Sequence, residues 1–121
     1  MAKPFLRVYF ADSWIGPGKV QLLEAIRDHG SISAAARAIG MSYRRAWLLI
    51  DAVNGMFRDP AVETTLGGRG GGTASLTPFG VEVVTRYRAM EAATRRAIAA
   101  NAAALERRAV RRPARRRHAR H

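Results

Sequence analysis

The stretch Ser31–Trp47, SISAAARAIGMSYRRAW, constrains the fold more than any other part of the chain. Two helix-forming segments meet there with only Gly40 and Met41 between them. Ser31 or Ser33 can cap the first segment, Ala34, Ala35 and Ala36 favour it, and Gly40 ends it. The second opens at Ser42, and Ala46, Ile50, Val53 and Phe57 recur at 4–3–4 spacing, which makes one buried stripe. Asp59-Pro60 closes it. The alanines carry nothing beyond Cβ, so the two helices can approach closely. Two helices joined by so short a turn predict a helix-turn-helix.

The flanking sequence completes the pattern. Residues 5–10, FLRVYF, read as a strand. Gly16, Pro17 and Gly18 break the chain, and Pro17 suits a helix start. From Lys19 to His29 the apolar residues Val20, Leu23 and Ile26 recur at helical spacing, with Leu22 beside them, and Gly30 supplies the stop. Past Pro60, Val62–Leu66 and Ala74–Thr77 are β-type runs around GGRGGGT, a hairpin with a long glycine-rich tip. Thr77-Pro78 then reads as an N-cap followed by proline in the first turn of a long helix reaching about Arg108. Val83, Tyr87 and Met90 mark an incomplete apolar face on it, which Ile98 and Leu105 can extend. The order β-α-α-α-β-β-α predicts a mainly α fold with a small β-sheet: a winged helix-turn-helix with an N-terminal strand and a long C-terminal helix. One domain over residues 1–110 and a disordered Arg-rich tail over 111–121 are expected.

Charge suggests the partner. The 121 residues hold 21 Lys and Arg against 9 Asp and Glu, a formal charge of +12. Residues 107–121 contribute eight Arg and no acid, so the remaining body is only about +4. A basic tail on a mildly basic body points to nucleic acid before other polyanions, because phosphate binding is driven by counterion release. The plainer alternative is a solvated end with no specific partner. The absence of cysteine excludes a disulfide scaffold, thiolate metal sites and a cysteine nucleophile, and fits a cytoplasmic protein. No apolar run approaches the ~20 residues that span a bilayer, so no membrane association is expected. His29, His118 and His121 lack metal-ligand spacing, and the nine acids are scattered. No enzyme activity, metal or cofactor is expected.

The candidate binding residues follow from the helix-turn-helix. The second helix of such a unit, here residues 42–57, lies in the major groove and exposes Ser42, Tyr43, Arg44 and Arg45 at its N-terminal end. Arginine binds guanine O6 and N7 in bidentate fashion, worth ~1–3 kcal/mol of discrimination. Trp47 either packs on the core, stacks on a sugar, or does both. Ser31 and Ser33, at the head of the bracing helix, join the candidate DNA contacts. The glycine loop lacks the G-K-[ST] ending and the βαβ setting of a nucleotide cradle. It reads instead as a wing over 67–73, with Arg69 placed to meet the flanking backbone or minor groove.

These residues resemble the N-terminal DNA-binding domain of the ModE-type molybdate-responsive regulators, which are related to LysR-type winged helices. The resemblance covers roughly residues 5–100. It is carried by Gly30–Ser33 (GSIS), Gly40–Trp47 (GMSYRRAW), Gly67–Gly72 (GGRGGG) and Leu76–Gly80 (LTPFG). It implies a homodimeric transcription regulator bound to double-stranded DNA at a palindromic operator. The N-terminal strand and the long C-terminal helix would build the dimer, and Ser42, Tyr43, Arg44, Arg45 and Arg69 would contact DNA. Full-length members add small β-barrel domains that bind molybdate or tungstate. This chain is expected to lack them, leaving a stand-alone DNA-binding subunit, a response supplied by a separate effector-sensing protein, or constitutive binding. The rival expectation is a non-specific architectural DNA binder driven by the basic tail. RNA binding and a protein–protein module rank below both.

Overall fold

The structure, a computed structural model, describes residues 2–65 and 72–110. The chain begins with a tight hairpin, β1 (Val8–Phe10) and β2 (Ser13–Ile15), antiparallel with Tyr9 opposite Trp14. The single strand expected over residues 5–10 is thus shorter and has a partner that the sequence reading missed. Ser-Trp-Ile is too short to display an alternating pattern, so only its pairing identifies it as a strand. The order among the described residues is β-β-α-α-α-β-β-α, with four helices and two small antiparallel sheets.

Helix α1 (Pro17–His29) opens on Pro17 and buries Val20, Leu22, Leu23, Ala25 and Ile26. It ends where the Gly30 amide donates to the Ile26 carbonyl at 2.9 Å. Helix α2 (Ile32–Ala38) is capped by Ser31, whose Oγ accepts from the Ala34 amide at 3.1 Å. The turn to α3 depends on Gly40 at φ +70°, a left-handed conformation that costs an L side chain about 1–2 kcal/mol. The Met41 amide closes that turn on the Ala36 carbonyl at 2.8 Å. Helix α3 (Tyr43–Met56) is capped by Ser42 through the Arg45 amide, 3.1 Å away. Its expected stripe is present: Ala46, Ile50 and Val53 are buried and Phe57, just beyond the last turn, is half-buried.

Strands β3 (Val62–Thr65) and β4 (Thr73–Leu76) form the ribbon, with Val62 opposite Leu76 and Thr65 opposite Thr73. The Thr65 and Thr73 hydroxyls hydrogen-bond across the last described rung. Helix α4 (Pro78–Glu106) follows. Its cap, Thr77, works in two directions: the hydroxyl accepts from the Gly80 amide at 2.9 Å and donates to the Pro60 carbonyl at 2.7 Å. On α4 the core takes Val83, Val84 and Tyr87, while Met90 and Leu105 are exposed and Ile98 is half-buried. The apolar face expected along this helix is therefore buried only in its first three turns. Tyr87 anchors the N-terminal segment by donating its hydroxyl to the Leu6 carbonyl at 2.8 Å.

Candidate nucleic-acid interface

The cap at Ser42 starts α3 directly after the Gly40 turn, so the first turn of α3 projects from the body. Tyr43, Arg44 and Arg45 are all exposed there. Neither Arg44 nor Arg45 has a carboxylate partner among the described residues, whose ion pairs involve Arg27, Arg86 and Arg88 instead. Two guanidinium groups are thus held beside the positive end of a helix macrodipole without a compensating acid, an arrangement that favours an anionic partner. The Ser42 and Ser31 hydroxyl oxygens are engaged as helix caps. Ser33 is exposed and its Oγ accepts from the Arg37 guanidinium at 3.3 Å. Trp47 is half-buried against the core, with the Tyr43 ring edge-on to it at 6.3 Å and 80°.

The ribbon is locked to α3 by a residue that the sequence reading missed. The Asn54 side-chain oxygen accepts from the amides of Ala61 (2.8 Å) and Val62 (3.1 Å), and its nitrogen donates to the Val62 carbonyl at 3.0 Å. The signal was available: asparagine is a poor interior helix residue because its amide competes for backbone groups, and Asn54 sits within the last turn and a half of α3. On the other strand, the Ala74 amide donates to the Gly30 carbonyl at 2.9 Å, which ties β4 to the turn between α1 and α2. The wing tip expected over 67–73, including Arg69, lies outside the described residues up to Gly71.

Helix α4 is braced against α1. The Arg88 guanidinium forks onto Glu24, with Nε 2.9 Å and Nη2 2.7 Å from its two carboxylate oxygens, and Nη1 reaches Glu91 at 2.7 Å. The Arg88 bond holds the Glu24 carboxyl below the usual range for glutamate, and burial opposes this only in part. Among the described residues no cluster of His, Cys, Asp and Glu is suited to a metal ion, and no helix is long and apolar enough to cross a membrane.

A tight two-helix turn, a capped second helix with free cations on its first turn, and a ribbon tied to that helix define a winged helix-turn-helix. Comparison with known proteins then places the sequence more narrowly. The chain is 39% identical over 84 residues to the molybdenum-pterin-binding protein MopA of Rhodobacter capsulatus, covering 69% of this chain and 32% of MopA. It is 44% identical over 73 residues to the molybdenum transport protein ModE of Azotobacter vinelandii, covering 60% of this chain and 27% of that protein. It is 40% identical over 78 residues to the DNA-binding transcriptional dual regulator ModE of Escherichia coli, covering 64% of this chain and 28% of that protein. Over the aligned stretch the chain is similar to ModE-type sequences. It spans at most about a third of the length of these relatives. No family profile matches the chain.

Proposed function

We propose that the protein is a sequence-specific transcription regulator that binds double-stranded DNA and serves molybdenum or oxyanion metabolism. The observation that carries this reading is the first turn of α3, where Arg44 and Arg45 stand exposed and unpaired after the Ser42 cap. In this reading residues 42–57 enter the major groove and the two arginines read base edges. The wing over 67–73, with Arg69, rests on the flanking backbone or minor groove. Ser33 and Tyr43 add contacts to the backbone. Trp47 acts chiefly from within the core. The names of the ModE relatives support the tie to DNA and to molybdenum, since one is a DNA-binding transcriptional regulator and another a molybdenum transport protein.

A homodimer belongs to the same reading. The rings of Phe10, Phe57 and Phe79 run edge to face, with centroids 5.4 and 5.2 Å apart, beside an open apolar cleft of about 180 Å³. Exposed Phe10 and Met90 line that cleft, which supports pairing through the N-terminal hairpin and α4. A non-specific architectural role is the second reading, favoured by the eight arginines of residues 107–121.

Alanine at Arg44 or Arg45 tests base readout. Each variant is expected to lose about 1–3 kcal/mol of preference for a selected duplex over its scrambled counterpart, roughly 5–150-fold, while folding normally. A variant with unchanged discrimination removes that residue from base readout.

A further inference from the structure

A second group of cations lies outside the helix-turn-helix. Trp14, on β2, is the platform: the Arg7 guanidinium carbon lies 4.0 Å from its ring centroid and the Lys19 ammonium 3.7 Å. Arg7 is also 5.4 Å from the Phe5 ring, so its planar head is flanked by two aromatic groups. Its stem is packed too, since a Cβ at Gly16 would lie 3.3 Å from Arg7 Cγ and 2.9 Å from the Trp14 ring. Lys19 is nearly buried beneath this layer, only 7% exposed, and donates to the Trp14 carbonyl at 2.8 Å. Neither Arg7 nor Lys19 has a carboxylate partner among the described residues.

The platform sits beside the recognition helix, because β2 packs on α3. Burial, followed by repulsion from Arg7 and Arg45, holds the Lys19 ammonium below the usual lysine range. Two cations thus share one indole with no acid paired to either among the described residues. Cations collected without a counter-charge raise one another's energy, and an incoming anion relieves that cost. Arg7 is exposed at the outer face of the group, and a guanidinium already immobilised by stacking loses little freedom when it binds phosphate.

We propose that Arg7, stacked on Trp14 above Lys19, is a backbone-phosphate contact for duplex DNA flanking the segment read by α3. This rests on the duplex-binding reading above and extends its footprint to the N-terminal hairpin. Arg7 makes the contact, and Lys19 supplies positive field from below the ring. The contact carries no sequence information: it adds affinity and fixes the angle at which α3 enters the groove.

The test is the salt dependence of duplex binding by the full chain. Each phosphate contact releases condensed counterions and adds about 0.9 to the slope of log K against log salt. Arg7→Gln is therefore expected to weaken binding and lower the slope by about one, equally for a selected and a scrambled duplex. Arg7→Lys should retain the slope. Arg58→Gln is the charge control: Arg58 is exposed past the far end of α3, about 20 Å from Arg45 along the helix, and its variant should leave the slope unchanged. An Arg7→Gln slope equal to that of the unaltered chain overturns the proposal, as does an equal fall in the Arg58 variant. Failure of the unaltered chain to bind duplex at all would instead overturn the parent reading.

Discussion

A Cβ added at Gly80 would lie 2.1 Å from the Ala61 carbonyl oxygen, well inside any tolerated contact. The obstacle is backbone, and it is the same carbonyl that accepts the Thr77 amide at 2.9 Å. Gly80→Ala must therefore push the start of α4 away from the residues leading into β3. A cost of about 2 kcal/mol or more is expected, read as a lower urea midpoint with an unchanged slope. A variant as stable as the parent would show that α4 docks some other way. The Leu76–Gly80 motif was visible in the sequence as a cap and a proline, but the need for glycine was not. It arises from a contact between Gly80 and Ala61, which local pattern does not encode. Asn54 is similar: its poor fit to a helix interior was legible, whereas its three backbone partners required the fold.

Among elements, the helix-turn-helix was the most legible because its determinants are local: serine caps, a glycine turn and a 4–3–4 apolar stripe all lie within residues 31–57. The β1–β2 hairpin was half-legible, since three-residue strands show no period and depend on pairing for their identity. The brace between α1 and α4 was not legible at all, because Glu24 and Arg88 are 64 residues apart in the chain. It nevertheless predicts how stability varies with acidity. The Arg88 bond depresses the Glu24 pKa in the folded protein. The stabilisation is therefore complete above the ordinary glutamate value, about pH 4.3, and is lost as pH falls through the lower folded value. Glu24→Gln should be less stable than the parent at pH 7 and show a shallower loss of stability between about pH 5 and pH 3. Parallel acid limbs for the two proteins would remove the brace from the account. The partial exposure of both side chains keeps the expected effect small.

At the scale of the whole molecule, function depends on how the fold gathers charge. The sequence shows a basic chain with an Arg-rich end, and from that alone specific and non-specific DNA binding look alike. The proposed specific reading rests on Arg44 and Arg45, unpaired on one helical turn while Arg27, Arg86 and Arg88 are tied to acids. Ser42–Arg45 could be read as a site because its members are contiguous. Arg7, Trp14 and Lys19 could not, because a hairpin and an aromatic stack bring them together. In the function proposed above, this body, rather than the tail, selects DNA by sequence. Selection from a random duplex library at near-physiological salt tests it most directly, using the full chain and a 1–106 truncation. Both are expected to enrich one palindromic motif, as a homodimer presenting paired recognition helices would require. Strong binding by the full chain with no enriched sequence, lost on truncation, would contradict it.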